Sequence, residues 1–142
     1  MGKIEQLIEK YLPEIEPYLE GAEIRHKFWG VFFANWTGEM NGLFVLTDDA
    51  FFVRGKASFK SGWGGIAKSG EVQKIPYSSF QTVYSKKHKA VIKYDGAFKG
   101  KPGKMGKMTI APKKMKGENK KDLISRANQY YDFIKSKANL TE

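Results

Sequence analysis

Two glycine-rich spans hold the residues whose types and spacing could do chemistry, and that chemistry is binding. The first, from about Gly55 to Gly70, carries Lys56, Lys60, Trp63 and Lys68; the second, from Asp95 to Lys107, carries Phe98, Lys99, Lys101, Lys104 and Lys107. Ammonium groups on glycine hinges adapt to a surface of phosphates, and rings among them suit either the interfacial zone of a membrane or the faces of unpaired bases. Lysine outnumbers arginine 22 to 3. Arginine is the side chain that forks onto base edges, so sequence-specific readout of nucleic acid is not expected.

Nothing in the chain has the pattern of a catalytic site. Ser78, Ser79 and Ser85 have no base and oriented acid in a spacing that would activate them. His26 and His88 are far apart and match no metal-ligand spacing, and the absence of cysteine removes disulfides, thiolate metal sites and thiol nucleophiles. The spans Gly62 to Gly65 and Gly100 to Lys104 are not phosphate loops, because no Gly-Lys-Ser or Gly-Lys-Thr follows a strand and opens a helix. Asp48 and Asp49 stand in a hairpin turn, where they are expected to bond the local backbone. The expectation is a non-enzymatic protein with no cofactor and no metal.

The net charge of +10 is unevenly spread: Lys3 and Lys10 face six glutamates in residues 1–23, a net −4 against +14 for the remainder. An acidic leader thus precedes a basic body that should attract an anionic phospholipid surface, an acidic protein face or nucleic acid, with an attraction that weakens in salt. No apolar run has the length of a signal peptide or a spanning helix, and Gln6 replaces the Ser or Thr that N-myristoylation at Gly2 requires. A cytoplasmic protein is expected, with peripheral attachment at the inner face of the membrane.

The elements that must position these residues follow from periodicity. Ile4, Leu7, Ile8, Tyr11, Leu12, Ile15, Tyr18 and Leu19 fall at three- and four-residue steps, the mark of an amphipathic helix whose apolar face must be buried on its own domain or on a partner. Pro13 and Pro17 predict a break or kink near Leu12 followed by a short helical piece. Leu43 to Leu46 and Phe51 to Val53, joined by a small acidic turn, read as a β-hairpin lying centrally in a sheet covered on one face and partly on the other. A long strand over 24–36 precedes this hairpin, and further strands are predicted over 71–75, 79–85, 90–94 and 108–111. Asn119 reads as the N-cap of a closing amphipathic helix that runs to about Lys137. Seven short antiparallel strands and one such helix imply a mainly β (α+β) fold, a curled sheet or barrel closed by the C-terminal helix, with an extra N-terminal helix.

The hairpin Gly-Leu-Phe-Val-Leu-Thr-Asp (42–48), the strand and turn Lys-Ile-Pro-Tyr-Ser-Ser-Phe-Gln-Thr-Val (74–83), two further strands and the C-terminal helix together resemble the pleckstrin-homology-like superfold in its bacterial and GRAM-like versions. The resemblance divides the chain into a helical leader, 1–23, and a PH-like domain, 24–138. It implies that the loops after strands 1, 3 and 6 gather at the open end of the barrel while the helix closes the other. That would bring Lys56, Lys60, Lys68, Lys99, Lys101, Lys104 and Lys107 to one rim with Trp63 and Phe98 at its tips. The loop 36–41 lacks the basic motif of the inositol-phosphate-binding members, so stereospecific headgroup recognition is not implied. Three readings follow: docking of the rim on an anionic surface, foremost membrane phospholipid; self-association or protein binding through the helix face Ile4, Leu7, Ile8, Tyr11 and Leu12; and nonspecific nucleic-acid binding.

Overall fold

The computed structural model describes residues 2–34, 39–56 and 70–140, and of 33, 34, 39, 56 and 99 the backbone only. Helix α1 (Lys3–Leu19) is followed by strands β1 (His26–Ala34), β2 (Glu39–Leu46), β3 (Ala50–Lys56) and β4 (Val72–Pro76). A 3-10 turn (Tyr77–Ser79) leads to β5 (Phe80–Lys86) and β6 (Lys89–Asp95), a second 3-10 turn (Gly96–Lys99) to β7 (Met105–Pro112), and the chain closes in α2 (Lys120–Lys137). The seven strands form one antiparallel sheet in the order β4-β3-β2-β1-β7-β6-β5. No ladder joins the edge strands β4 and β5, so the sheet is open.

Side chains alternate between two cores, as the period of two in a strand requires. One face brings Phe28, Phe32, Phe44, Phe51, Ile75, Ile92 and Ile110 together under Ala127, Tyr130, Tyr131 and Ile134 of α2. Trp29, Leu43, Val45 and Phe52 on the other face are covered by Ile8, Tyr11, Ile15 and Leu19 of α1. The central hairpin is therefore buried on both faces, more fully than its sequence suggests: Leu43 and Val45 are 0% exposed because α1 lies across them.

Helix α1 continues through Pro13 and Pro17, so of the expected break or kink near Leu12 the break does not occur. The prolines withdraw the donors that Glu9 and Pro13 carbonyls would have received, and positions 9, 13 and 17 form one exposed stripe opposite the buried one. Water can satisfy those carbonyls, while the apolar face anchors both halves of the helix on the sheet.

The turn between β2 and β3 also differs from expectation. The backbone N–H groups of Asp49 and Ala50 donate to the buried Thr47 hydroxyl, each at 3.1 Å, and the Tyr77 hydroxyl donates to the Thr47 carbonyl at 2.7 Å. Asp48 instead leaves the local backbone and pairs with Arg25 and Lys137, both at 2.9 Å. Its side chain thereby ties the end of α2 to the hairpin.

Helix α2 begins in a reciprocal capping box: Asn119 Oδ1 accepts from the Asp122 amide at 2.8 Å, and Asp122 Oδ2 from the Asn119 amide at 3.4 Å. Its Tyr131 hydroxyl donates to the His88 carbonyl at 2.6 Å. Tyr130 stacks on Phe28 with ring centroids 4.3 Å apart. These contacts seat α2 at the end of the sheet that carries the 47–49 and 87–88 turns. Strand polarity sends the connectors after β1, β3 and β6 out from the opposite end.

Candidate functional site: two basic surfaces

Of the residues singled out for the rim, Lys60, Trp63 and Lys68 lie outside the described residues. Lys56 is placed by its backbone at the end of β3, opposite Asn41 of β2, and Lys99 closes the second 3-10 turn. Lys101, Lys104 and Lys107 are exposed. The connector that carries them has an internal scaffold. The Asp95 carboxylate accepts from the Ala97 amide at 2.8 Å and from the Gly103 amide at 3.3 Å, and Gly100 and Gly103 take the left-handed φ values, 79° and 80°, that the double turn needs. The one acid of this segment is thus turned onto its own backbone.

Phe98 is not a tip. It is partly buried, packs against the α2-side core and meets Tyr94 with ring centroids 5.4 Å apart. The Tyr94 ring passes over Gly106, where a Cβ would come within 2.5 Å of Cζ. The ladder with β6 starts at the pair Asp95 and Met105, three residues before the predicted strand, and makes Gly106 a ladder position paired with Tyr94.

The proposed helix interaction face is spent within the chain. Ile8 and Tyr11 are buried against the sheet, and Ile4, Leu7 and Leu12 pack at the margin of the same cluster. Tyr11 lies between the Trp29 ring, stacked at 5.6 Å, and the Arg54 guanidinium, 4.5 Å from its centroid. Arg54 in turn pairs with Glu14 at 2.9 Å. Leader and body therefore share a core.

A second basic surface went unread in the sequence. Between residues 72 and 121 there are fourteen lysines and two acids. Both acids are engaged, Asp95 as above and Glu118 by the forked guanidinium of Arg126 at 2.7 and 2.9 Å. On the outer face of β5–β7, Tyr84, Val91 and Thr109 stand side by side in register. The pair Lys86 and Lys89 lies on one side of this strip, and Lys93 and Lys107 on the other. A cleft of about 460 Å³ opens over the strip, rimmed by Lys86, Lys87, Lys89 and Lys120, with no acidic side chain among the described residues that line it. Helix α1 packs chiefly on the β1–β4 half of the sheet. Tyr84 is consequently 65% exposed. At the cleft wall His88 is held below its ordinary pKa, first by burial and then by Lys89, Lys120 and Lys87. His26 sits elsewhere, edge-on to Tyr130 and Phe133. No cluster of three potential metal ligands occurs among the described residues.

The fold has solved counterparts. The C-terminal domain of an unknown protein from Leishmania infantum is similar over 93% of this chain and 98% of its own, with a TM-score of 0.56 and 11% identity. The hSac2 domain from the human phosphoinositide phosphatase Sac2 is similar over 95% of this chain and 83% of its own, with a TM-score of 0.52 and 12% identity. At such identities the likeness is one of fold. No protein-family model matches the sequence, and no curated protein does.

Proposed function

We propose that the chain is a non-enzymatic binding module of pleckstrin-homology-like fold that docks the basic rim at the open end of its sheet on an anionic surface, foremost membrane phospholipid. The strand order, the C-terminal helix at one end and the three connectors leaving from the other support the PH-like reading. Fold decides no function by itself, since one superfold hosts many. The observation that carries the reading is the Asp95 scaffold: it withdraws the only carboxylate of the β6–β7 connector and leaves Lys101 and Lys104 exposed beside it.

Near an anionic leaflet each such lysine contributes about 1 kcal/mol, and the sum falls within a Debye length and with salt. Lys56, Lys60, Lys68 and Lys99 would add to the rim, and Trp63 would supply an interfacial ring. No helix among the described residues is long and apolar enough to cross a membrane. Attachment would accordingly be peripheral, at the inner face of the membrane of a cytoplasmic protein. Sedimentation with phosphatidylcholine vesicles, with and without phosphatidylserine, tests the reading. Retention should require the anionic lipid, decline with salt and be lost in the Lys99→Glu, Lys101→Glu, Lys104→Glu triple variant; retention indifferent to those three changes would refute it.

A further inference from the structure

We propose that the cleft across β5, β6 and β7, with its flanking lysines, is a binding face for single-stranded nucleic acid of any sequence. The face is available because α1 packs on the other half of the sheet. It combines the two features such a ligand needs. Tyr84, 65% exposed, offers a ring on which a base can stack beside the apolar surface of Val91 and Thr109. Lysine pairs lie in register on both sides of that strip, Lys86 with Lys89 and Lys93 with Lys107, so a strand crossing the sheet has ammonium groups ahead of and behind each stacked base.

The shape and the charge select this occupant over others. A bilayer would meet the lysines with its headgroup phosphates but offers no planar ring to stack on the exposed Tyr84. An acidic peptide would use the lysines and leave the ring without a matching flat surface. A polynucleotide carries a planar ring and a phosphate in every unit. No arginine lies between residues 72 and 121. Base edges therefore go unread, and binding should be indifferent to sequence. The rim residues Lys101 and Lys104 are not part of the cleft, and Lys107 is common to the rim and the flank of the strip, so variants at Lys101 and Lys104 and at Lys86 and Lys89 separate this inference from the vesicle reading.

Fluorescence anisotropy of the full chain with labelled oligodeoxythymidine and oligodeoxyadenosine of about 12 nucleotides, within the usual site size for such surfaces, tests the proposal over a range of salt. Both oligomers should bind. Tyr84→Ala should weaken binding about tenfold while Tyr84→Phe retains it. In the Lys86→Gln, Lys89→Gln double variant the slope of log affinity against log salt should fall by about 0.7 for each lysine removed. These side chains are exposed, and unchanged thermal melting would confirm that the variants fold. Three results would overturn the proposal: no binding at low salt; binding that ignores Tyr84→Ala and disappears with Lys101→Gln, Lys104→Gln; or competition by polyglutamate equal to that by oligonucleotide. Loss of vesicle retention in the cleft variants with oligonucleotide binding intact would also overturn it, and would assign the face to lipid.

Discussion

Tyr11 of α1 lies almost flat against Trp29 of β1, the ring planes within 21° of each other and the centroids 5.6 Å apart. The stack sits in a cluster that includes the 0%-exposed Ile15 of α1, so the leader helix behaves as a layer of the fold. Ile15→Ala should cost about 2–5 kcal/mol in urea unfolding, the range for a fully buried large-to-small change. A loss below about 1 kcal/mol would mean that α1 is detached from the sheet in solution.

Deleting residues 1–20 would bare Trp29, Leu43, Val45 and Phe52 together. An exposed apolar patch of that kind drives association. The truncated protein should therefore elute as larger species in size-exclusion chromatography, or fail to remain in solution. A truncated form that stays monomeric and melts like the full chain would show that the sheet face does not need its helix.

Thr47 accepts two backbone N–H groups through a fully buried hydroxyl. Thr47→Val keeps the shape and leaves both donors without a partner. The expected cost is about 1–3 kcal/mol for each buried donor orphaned, less whatever water reaches from the exposed Asp48–Asp49 side. Asp49→Asn, by contrast, should be close to neutral in the same chemical-denaturation measurement.

Stability should fall as pH drops below neutrality. His26 and His88 are both held below their ordinary value of about 6.5, His26 by burial and then Arg25, His88 by burial and then its lysine neighbours. The unfolded chain takes up protons at these sites before the folded chain does, so stability declines from about pH 6.5 down to the lowered folded values. Asp48 and Glu118 have lowered pKa values, first through hydrogen bonds with Lys137 and with Arg126 respectively. Their contribution is present above the ordinary carboxylate range and is lost as pH falls through their folded values. A urea midpoint followed from pH 7 to 3 should drop in two stages, and a His26→Gln, His88→Gln variant should lack the upper one. An upper stage that persists in that variant would exclude the histidines as its cause.

Much of the architecture was legible in the sequence because local and long-range demands agree there. The unbroken apolar runs Leu43 to Leu46 and Phe51 to Val53 and the Asn119 cap each point to one local structure, and the fold adopts it. The readings that failed depend on which way a side chain faces in space. Pro13 and Pro17 break a helix in general, but not where the carbonyls they orphan lie on the solvent stripe. Gly106 in a lysine-rich run looks like loop until the Tyr94 ring is found across it, and the same ring draws Phe98 inward. The cleft had a signal, the period-two alternation of Tyr84 with Lys86 and of Lys89, Val91 and Lys93. What the sequence did not disclose is that α1 packs on the other half of the sheet and that Tyr84 stays exposed on this one.

That placement of α1 gives the molecule an electrical polarity. The exposed Glu9, Glu16 and Glu20 ride on the β1–β4 half, while the exposed Lys86, Lys89, Lys93 and Lys107 occupy β5–β7. In the field of any large anion such a body experiences a torque before it makes contact, which turns the leader helix outward and the β5–β7 half of the sheet inward. Orientation would be largely achieved during diffusion, and a polycation would meet the same molecule from behind.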